Sequence, residues 1–244
     1  MKYLALLLLS TSFTCFGQDI ISTRKGDITI STINHGSLVL EQNNQIIYVD
    51  PYGGSALFDA HQKPTIVLIT DIHGDHLNEE TLNGLDLSEA TLVVPQAVAD
   101  KLPAGIGKTI IVIENGQSKN INDVKIEAIP MYNLPEKPDS PHTKSRGNGY
   151  VVHLGGKQIY ISGDTEDIPE MRALKNIDVA FVCMNLPYTM DVDQAASAVS
   201  QFKPGIVYPY HYRGSDGFSD IEKFKMLVNE AAPEVEVRLR SWYQ

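Results

Sequence analysis

The most informative stretch of the chain is TIVLITDIHGDHL, residues 65–77. Its first half is apolar or β-branched and predicts a short buried strand over Thr65 to Thr70. Two carboxylates and two imidazoles follow within six positions: Asp71, His73, Asp75 and His76. In extended backbone, residues i and i+2 point the same way, so Asp71 and His73 can share one metal ion while the next two side chains turn toward a neighbouring ion. Imidazole with carboxylate suits zinc, iron or manganese, so the stretch predicts a metal site.

The length and composition of the chain limit the choice of function. It has 244 residues, 43% of them apolar, which is enough for one large domain or two small ones. The formal net charge is −10. Nucleic-acid backbones are bound by clustered lysine and arginine, so this charge argues against a nucleic-acid partner. A small molecule is the expected substrate, and the sequence carries no signal for the oligomeric state.

The N-terminus, MKYLALLLLSTSFTCFGQ, has the pattern of a secretory signal peptide over residues 1–17. A lysine supplies the positive charge, and Leu4 to Leu9 form an apolar run too short to span a bilayer. Small residues at −3 and −1 predict cleavage before Gln18, and lipoprotein processing at Cys15 is the alternative. We expect a periplasmic or secreted protein with a single domain over 18–244. No second apolar run reaches about 18 residues, so this domain is not expected to span a membrane.

The remaining patterns predict strands first and then strands that alternate with helices. A β-meander is expected over residues 27–50, and a last strand over 234–239. Residues 131–149 lack periodicity and are rich in proline, serine and glycine, which indicates a long functional loop. Helices are expected over four ranges, the first with Asn78 as its N-cap: 79–85, 96–102, 191–202 and 219–231. Two β-rich halves with outer helices favour a sandwich flanked by helices.

Three motifs resemble those of the metallo-β-lactamase superfamily and occur in the same order. Asp71-Ile72-His73-Gly74-Asp75-His76 looks like the HxHxDH motif of that family. Ser162-Gly163-Asp164-Thr165 looks like its later GDT segment, whose aspartate bridges two metal ions. Pro209-Tyr210-His211-Tyr212 resembles the segment with its final strand-end histidine. The resemblance extends from about residue 26 to residue 240.

Further residues resemble the branch of the superfamily that includes the ascorbate-phosphate lactonases. The loop that begins at Tyr132-Asn133 and contains His142 lies ahead of Gly147 to Tyr150, and it resembles the segment that carries the middle histidine of that branch. His35-Gly36-Ser37 and Asp50-Pro51 match its opening meander. The match therefore involves nearly every segment of the domain.

The resemblance implies an α+β fold, the four-layer αββα sandwich, in which two mixed β-sheets are flanked by helices and the site lies at the sheet edges. It implies two divalent metal ions with a water or hydroxide between them, zinc being expected and manganese or iron being the alternatives. It also implies that Asp75 orients the hydroxide and passes its proton to the leaving group. The implied ligands are Asp71, His73 and His142 for the first ion, Asp75, His76 and His211 for the second, and Asp164 for both.

Asp71 departs from the family pattern, in which the first residue of the motif is usually histidine. A carboxylate adds negative charge, which would weaken the Lewis acidity of that ion and favour a harder ion such as manganese or iron. His153 is the alternative to His142 as the middle ligand, although it falls within a predicted strand. His35 is expected to support a ligand through a hydrogen bond.

The expected function is metal-dependent hydrolysis of an ester, a lactone or a phosphodiester, and the lactonase-like motifs favour these bonds over β-lactams. Tyr132, Asn133 and Tyr210 either donate hydrogen bonds to a developing oxyanion or pack at strand ends. A catalytically weak, metal-stabilised binding or sensing module is the alternative, because Asp71 can weaken the site. An iron redox enzyme is less compatible, since diiron relatives usually carry a glutamate in the first motif.

Overall fold

A computed structural model describes residues 18–243 of the chain. The predictions for residues 1–17, including the signal peptide and the alternative processing at Cys15, lie outside the described residues. Within residues 18–243, none of the helices has the length and apolar character that crossing a bilayer requires.

The first sheet begins as the predicted meander and continues with parallel strands. Strands β1 to β4 pair antiparallel, and β4 to β7 pair parallel, so the sheet is mixed. β1 was not predicted, because its four residues carry little pattern. The strands lie side by side in chain order: β1 Gln18–Ile21, β2 Ile28–Asn34, β3 Ser37–Gln42, β4 Gln45–Val49, β5 Ile66–Leu68, β6 Thr91–Val94 and β7 Thr109–Val112.

The second sheet is also mixed, and the strand order is β16-β13-β12-β11-β10-β9-β8. Pairing is parallel from β16 to β11 and antiparallel from β11 to β8. The predicted last strand, 234–239, is reduced to two residues. The bounds are β8 Ser118–Ile121, β9 Val124–Met131, β10 Gly147–Leu154, β11 Lys157–Ile161, β12 Val179–Cys183, β13 Ile206–Tyr210 and β16 Glu236–Val237, and β14 Arg213–Gly214 pairs separately with β15 Gly217–Phe218.

Helices cover the outer face of each sheet. On β3, Leu38 and Leu40 join the core between the sheets, whereas Val39 joins the core beneath the first two helices, as the alternation of a strand requires. Described helices on the first sheet are the 3₁₀ helix Ser55–Phe58, α1 Glu79–Gly84 and α2 Gln96–Ala99, and those on the second are α3 Pro169–Arg172, α4 Val192–Phe202 and α5 Ile221–Ala231. This confirms the predicted αββα sandwich.

The strands that precede the predicted site residues all run toward one edge of the sandwich. β2, β4 and β5 share one direction in the first sheet, as do β9, β11 and β13 in the second. Two backbone hydrogen bonds join the sheets at this edge. His211 N donates to His35 O at 3.2 Å, and Asn148 N donates to Thr70 O at 2.9 Å. Loops that follow these strands are therefore brought together.

Candidate metal centre

The loop after β5 supplies part of one group of candidate ligands. Asp71 is buried, and its Oδ2 lies 2.7 Å from His73 Nδ1. The rings of His73 and His142 meet edge to face, with their centroids 5.1 Å apart. Each of the three residues offers one ligand atom within 4.8 Å of the others, so the trio can hold a metal ion. These are the residues that the resemblance assigns to the first ion.

A second group combines both sheets, since His76 follows β5 while Asp164 and His211 follow β11 and β13. Asp164 Oδ2 lies 3.3 Å from His76 Nε2 and 3.2 Å from His142 Nε2. Its Oδ1 lies 3.5 Å from His211 Nε2. Asp164 therefore lies between the two groups, as a bridging ligand must. Asp75 is adjacent, with Oδ2 3.3 Å from His211 Nε2.

Several buried polar atoms of these groups have no hydrogen-bond partner within residues 18–243. They are His76 Nε2, Asp164 Oδ1 and both ring nitrogens of His142 and of His211. Leaving such an atom unpaired typically costs about 1–3 kcal/mol. Imidazole nitrogens and carboxylate oxygens are also the donors that zinc and related ions prefer. The convergence of these atoms therefore fits resident divalent ions.

Asp50, at the end of β4, fixes the orientation of His76. The Thr70 backbone N–H donates to Asp50 Oδ1 at 2.8 Å, and the Thr70 hydroxyl donates to Oδ2 at 2.6 Å. His76 Nδ1 lies 2.8 Å from the same Oδ2. A carboxylate accepts only, so Nδ1 carries a proton, and Nε2 is the ring nitrogen that faces Asp164 and is left to bind an ion. Asp50 itself is fully buried.

His35 supports Asp75, as the sequence predicted. Its Nε2 lies 3.1 Å from Asp75 Oδ2, and its Nδ1 lies 2.8 Å from the hydroxyl of Tyr243. His35 also forms a third candidate ligand group with Asp75 and His211, whose ligand atoms lie within 4.8 Å of one another. Because one His35 nitrogen already faces Asp75 and the other faces a hydroxyl, its contacts are those of a supporting residue.

The turn after β2 approaches His211 so closely that it requires glycine. A Cβ on Gly36 would lie 2.9 Å from His211 Cδ2. His35 and His211 both have left-handed backbone, with φ of 57° and 46°. Such conformations are uncommon outside glycine, although asparagine, aspartate and histidine adopt them more often than other residues, and strained backbone of this kind clusters at functional sites.

The loop over 131–149 is held in place by Asn133. The side-chain carbonyl of Asn133 accepts a hydrogen bond from the His142 backbone N–H at 2.7 Å. The backbone N–H of Asn133 donates to the His142 backbone carbonyl at 2.9 Å. The rival ligand, His153, lies on β10 with its Nε2 2.5 Å from Glu127. The structure therefore brings His142, and not His153, to the candidate metal centre.

The hydroxyls of Tyr132 and Tyr210 form hydrogen bonds with groups other than the candidate ligands. The Tyr132 hydroxyl donates to Glu170 at 2.9 Å. Tyr210 is fully buried, and its hydroxyl accepts from the Gly163 backbone N–H at 3.0 Å. These contacts favour the alternative interpretation, packing at strand ends, for both residues. Tyr210 instead holds the residue that precedes Asp164.

Electrostatics keeps the central carboxylates ionised. Burial opposes ionisation of Asp164, but the nearby imidazoles of His211 and His76 hold its pKa well below the usual range. Burial likewise opposes ionisation of Asp75, and contacts with His211 and His35 more than offset it, so its pKa is also lowered. Ionised carboxylate is the form that ligates a metal ion.

The groups open into a cavity of about 370 Å³. Its wall includes His73, Asp75 and Tyr188, and one side is formed by Arg213. The Arg213 guanidinium lies 4.9 Å above the ring of Tyr243. The sequence did not predict a role for Arg213 or Tyr243, because both follow the final motif and carry no local signal of their own.

Comparison with known proteins identifies the family of the chain. Residues 29–211 match the family model described as the beta-lactamase superfamily domain, which is most of the chain. The chain belongs to the metallo-β-lactamase superfamily. The recognition drawn from the sequence motifs is thereby confirmed.

Relatives of this metallo-β-lactamase superfamily chain match it over nearly their whole length. A protein of Parabacteroides distasonis, described as a candidate metal-dependent hydrolase, is 40% identical, and its structure has a TM-score of 0.80 with 94% of this chain and all of that chain covered. A metal-dependent hydrolase of Pyrococcus abyssi is 27% identical over 221 residues, or 86% of this chain and 96% of the relative. The metallo hydrolase Igni18 of Ignicoccus hospitalis shares the fold, with 24% identity, a TM-score of 0.74, and 89% and 96% of the two chains covered.

Proposed function

We propose that this chain is a metal-dependent hydrolase that cleaves an ester, lactone or phosphodiester bond of a small molecule. The observation that carries the proposal is the convergence of unpaired buried nitrogens and carboxylate oxygens at the wall of the cavity. The candidate metal-dependent hydrolase of Parabacteroides distasonis and the metal-dependent hydrolase of Pyrococcus abyssi support it, since they match 94% and 86% of this chain.

The proposal includes two divalent ions, zinc being expected and manganese or iron being the alternatives. When bound, such ions supply Lewis acidity and lower the pKa of water. The residues that would hold them are Asp71, His73 and His142 for one ion, Asp75, His76 and His211 for the other, and Asp164 between them.

Asp75 is the residue proposed to handle the proton. Its side chain is 33% exposed and lines the cavity, so it can reach both water and substrate. His35 and His211 hold its Oδ2 in place, and the lowered pKa keeps it ionised at neutral pH. An ionised carboxylate accepts a hydrogen bond from the attacking water and can relay the proton to the leaving group.

Arg213 points to the charge of the substrate. No carboxylate within residues 18–243 forms an ion pair with it, and its guanidinium is held over the Tyr243 ring at the cavity wall. Guanidinium groups bind carboxylates and phosphates through paired hydrogen bonds. A substrate that carries one of these groups is therefore favoured over a neutral one.

Two experiments test the function. The first is elemental analysis of the purified protein, and the second assays the metal-loaded protein on a phosphodiester, a lactone, a carboxylic ester and a β-lactam. We expect transition metal in the protein and turnover of at least one of the first three. His73→Ala and Asp164→Ala should each abolish turnover, whereas His153→Ala, outside the centre, should retain it. Protein that lacks transition metal and keeps its turnover in both site variants would refute the proposal.

The same assays separate the enzyme from a binding or sensing module. Two bound ions without turnover on any of these bond classes would favour the module. The proposal also includes export to the periplasm or the medium, supported by the signal-peptide pattern over residues 1–17. Cell fractionation and N-terminal sequencing of the native protein test it, and a cytoplasmic protein that retains its first residues would contradict it.

A further inference from the structure

Asp71, the departure from the family motif, is paired with an arginine that no motif predicted. Arg146 Nε donates to Asp71 Oδ1 at 3.1 Å, and its Nη2 donates to Oδ2 at 3.0 Å. This is a bidentate contact, the strongest geometry for an arginine and a carboxylate. Asp71 is fully buried and the Arg146 side chain is 20% exposed, so solvent screens the pair only weakly.

The same guanidinium also contacts the loop that carries His142. Arg146 Nη2 donates to the carbonyl of Pro141, the residue before His142. Asp71 Oδ2, which accepts from Arg146, is also the oxygen that lies 2.7 Å from His73 Nδ1. One arginine thus contacts both a candidate ligand, Asp71, and the loop that carries another, His142.

The net charge of Asp71 and Arg146 together equals that of the neutral histidine usually found at position 71. A neutral imidazole brings no net charge to a metal ion, and a lone carboxylate brings −1. A carboxylate with a bidentate guanidinium brings zero again. Resting on the proposed function, we infer that Asp71 and Arg146 together act as one neutral ligand in place of the usual histidine. Arg146 acts through Asp71, by offsetting its charge toward the ion held by Asp71, His73 and His142.

The Arg146 guanidinium alters the metal preference expected from Asp71. Asp71 alone was expected to add negative charge, weaken the Lewis acidity of the ion and favour manganese or iron. With the charge offset by Arg146, the site keeps the net ligand charge of a histidine site, and the preference for a harder ion should be small.

The test is the affinity of each of the two divalent ions in a double-mutant cycle, measured by zinc competition with a chelating dye. If net charge decides, Arg146→Gln should bind the ion about tenfold more tightly, and Asp71→His about tenfold more weakly, the usual size of an effect from an outer partner of a metal ligand. The double variant Asp71→His with Arg146→Gln should return to within about threefold of the wild type. Arg146→Lys, which keeps the charge, should also stay near the wild type.

A merely structural arginine gives a different pattern. If Arg146 only stabilises the fold, Arg146→Gln and the double variant should both bind the ion more weakly than the wild type. That result would overturn the inference. Arg172→Gln is the matched control, since Arg172 forms a similar two-point pair with Asp167 away from the candidate ligands, and its ion affinity should be unchanged. Melting temperatures of the metal-free variants verify folding. A wild type that binds no ion would instead refute the proposed function.

Discussion

Replacing Asp50 by asparagine should weaken metal binding without changing any ligand. The Asp50 carboxylate accepts three hydrogen bonds, from the Thr70 backbone N–H, the Thr70 hydroxyl and His76 Nδ1. An asparagine amide has one oxygen and one NH₂ group in place of the two carboxylate oxygens. In either orientation of the amide, the NH₂ group therefore faces a hydrogen-bond donor of Thr70 or His76. With NH₂ toward His76, Nδ1 must become the acceptor, and the proton moves to Nε2, the nitrogen that would bind the ion.

The magnitude follows from two separate arguments. Loss of an outer partner of a metal-binding histidine typically reduces metal affinity about 10–100-fold, or about 1.4–2.7 kcal/mol. Removal of one hydrogen bond to a charged group typically costs about 1.5–3 kcal/mol, which agrees. Asp50 and His76 are both fully buried, so solvent cannot replace the lost acceptor and the upper half of the range is expected.

Zinc competition against a chelating dye at neutral pH measures the effect. Asp86→Asn is the control, because it makes the same chemical change at an exposed carboxylate whose partner is Lys63. The control should bind zinc as the wild type does. If Asp50→Asn keeps the wild-type circular dichroism and its zinc affinity stays within about twofold, the assignment of Asp50 as the residue that orients His76 is wrong.

Three further predictions concern other parts of the centre. Gly36→Ala should reduce zinc affinity at least about tenfold, because its Cβ would lie 2.9 Å from His211 Cδ2, and dye competition would show it. Asn133→Ala should make the His142 loop more susceptible to proteolysis in the metal-free protein, since both hydrogen bonds that hold His142 are lost or weakened. Contacts with His73 outweigh burial and lower the pKa of Asp71 from 3.8 to about 2. The resulting stability, roughly 2.5 kcal/mol, is present above pH 4 and lost as pH falls through 2, so urea unfolding of the metal-free protein should show a weaker acid dependence in Asp71→Asn.

The sequence predicted those parts of the centre that depend on strand direction. Asp71 to His76, Asp164 and His211 each follow directly after a short buried strand, and parallel strands end at one edge. Strand direction alone does not relate the two sheets, since β5 belongs to the first and β11 and β13 to the second, and it was the resemblance to the superfamily motifs that placed these residues in one centre. The middle ligand was ambiguous because His142 lies in a loop, where position depends on contacts such as those of Asn133 and not on periodicity.

Contacts between distant segments could not be predicted in the same way. Asp71 and Arg146 are separated by 75 positions, and only the folded chain shows that the guanidinium compensates the carboxylate. The directions of the Tyr132 and Tyr210 hydroxyls were also hidden, because a tyrosine at a strand end can face either the cavity or the interior. The short elements β1, β8 and α3 were missed, since four residues carry too little pattern.

The distribution of ligands over the two sheets ties metal binding to folding. His73 and His76 follow β5 of the first sheet, while His142, Asp164 and His211 follow β9, β11 and β13 of the second. Each candidate ligand group therefore needs both sheets packed face to face before its atoms come within reach of one another. An ion that binds only this packed state stabilises it by about 2.7 kcal/mol at a free concentration of 100 times its dissociation constant. Since the unpaired imidazole nitrogens and Asp164 Oδ1 are costly when buried without an ion, the metal-free sandwich carries this cost at the same edge where binding would remove it.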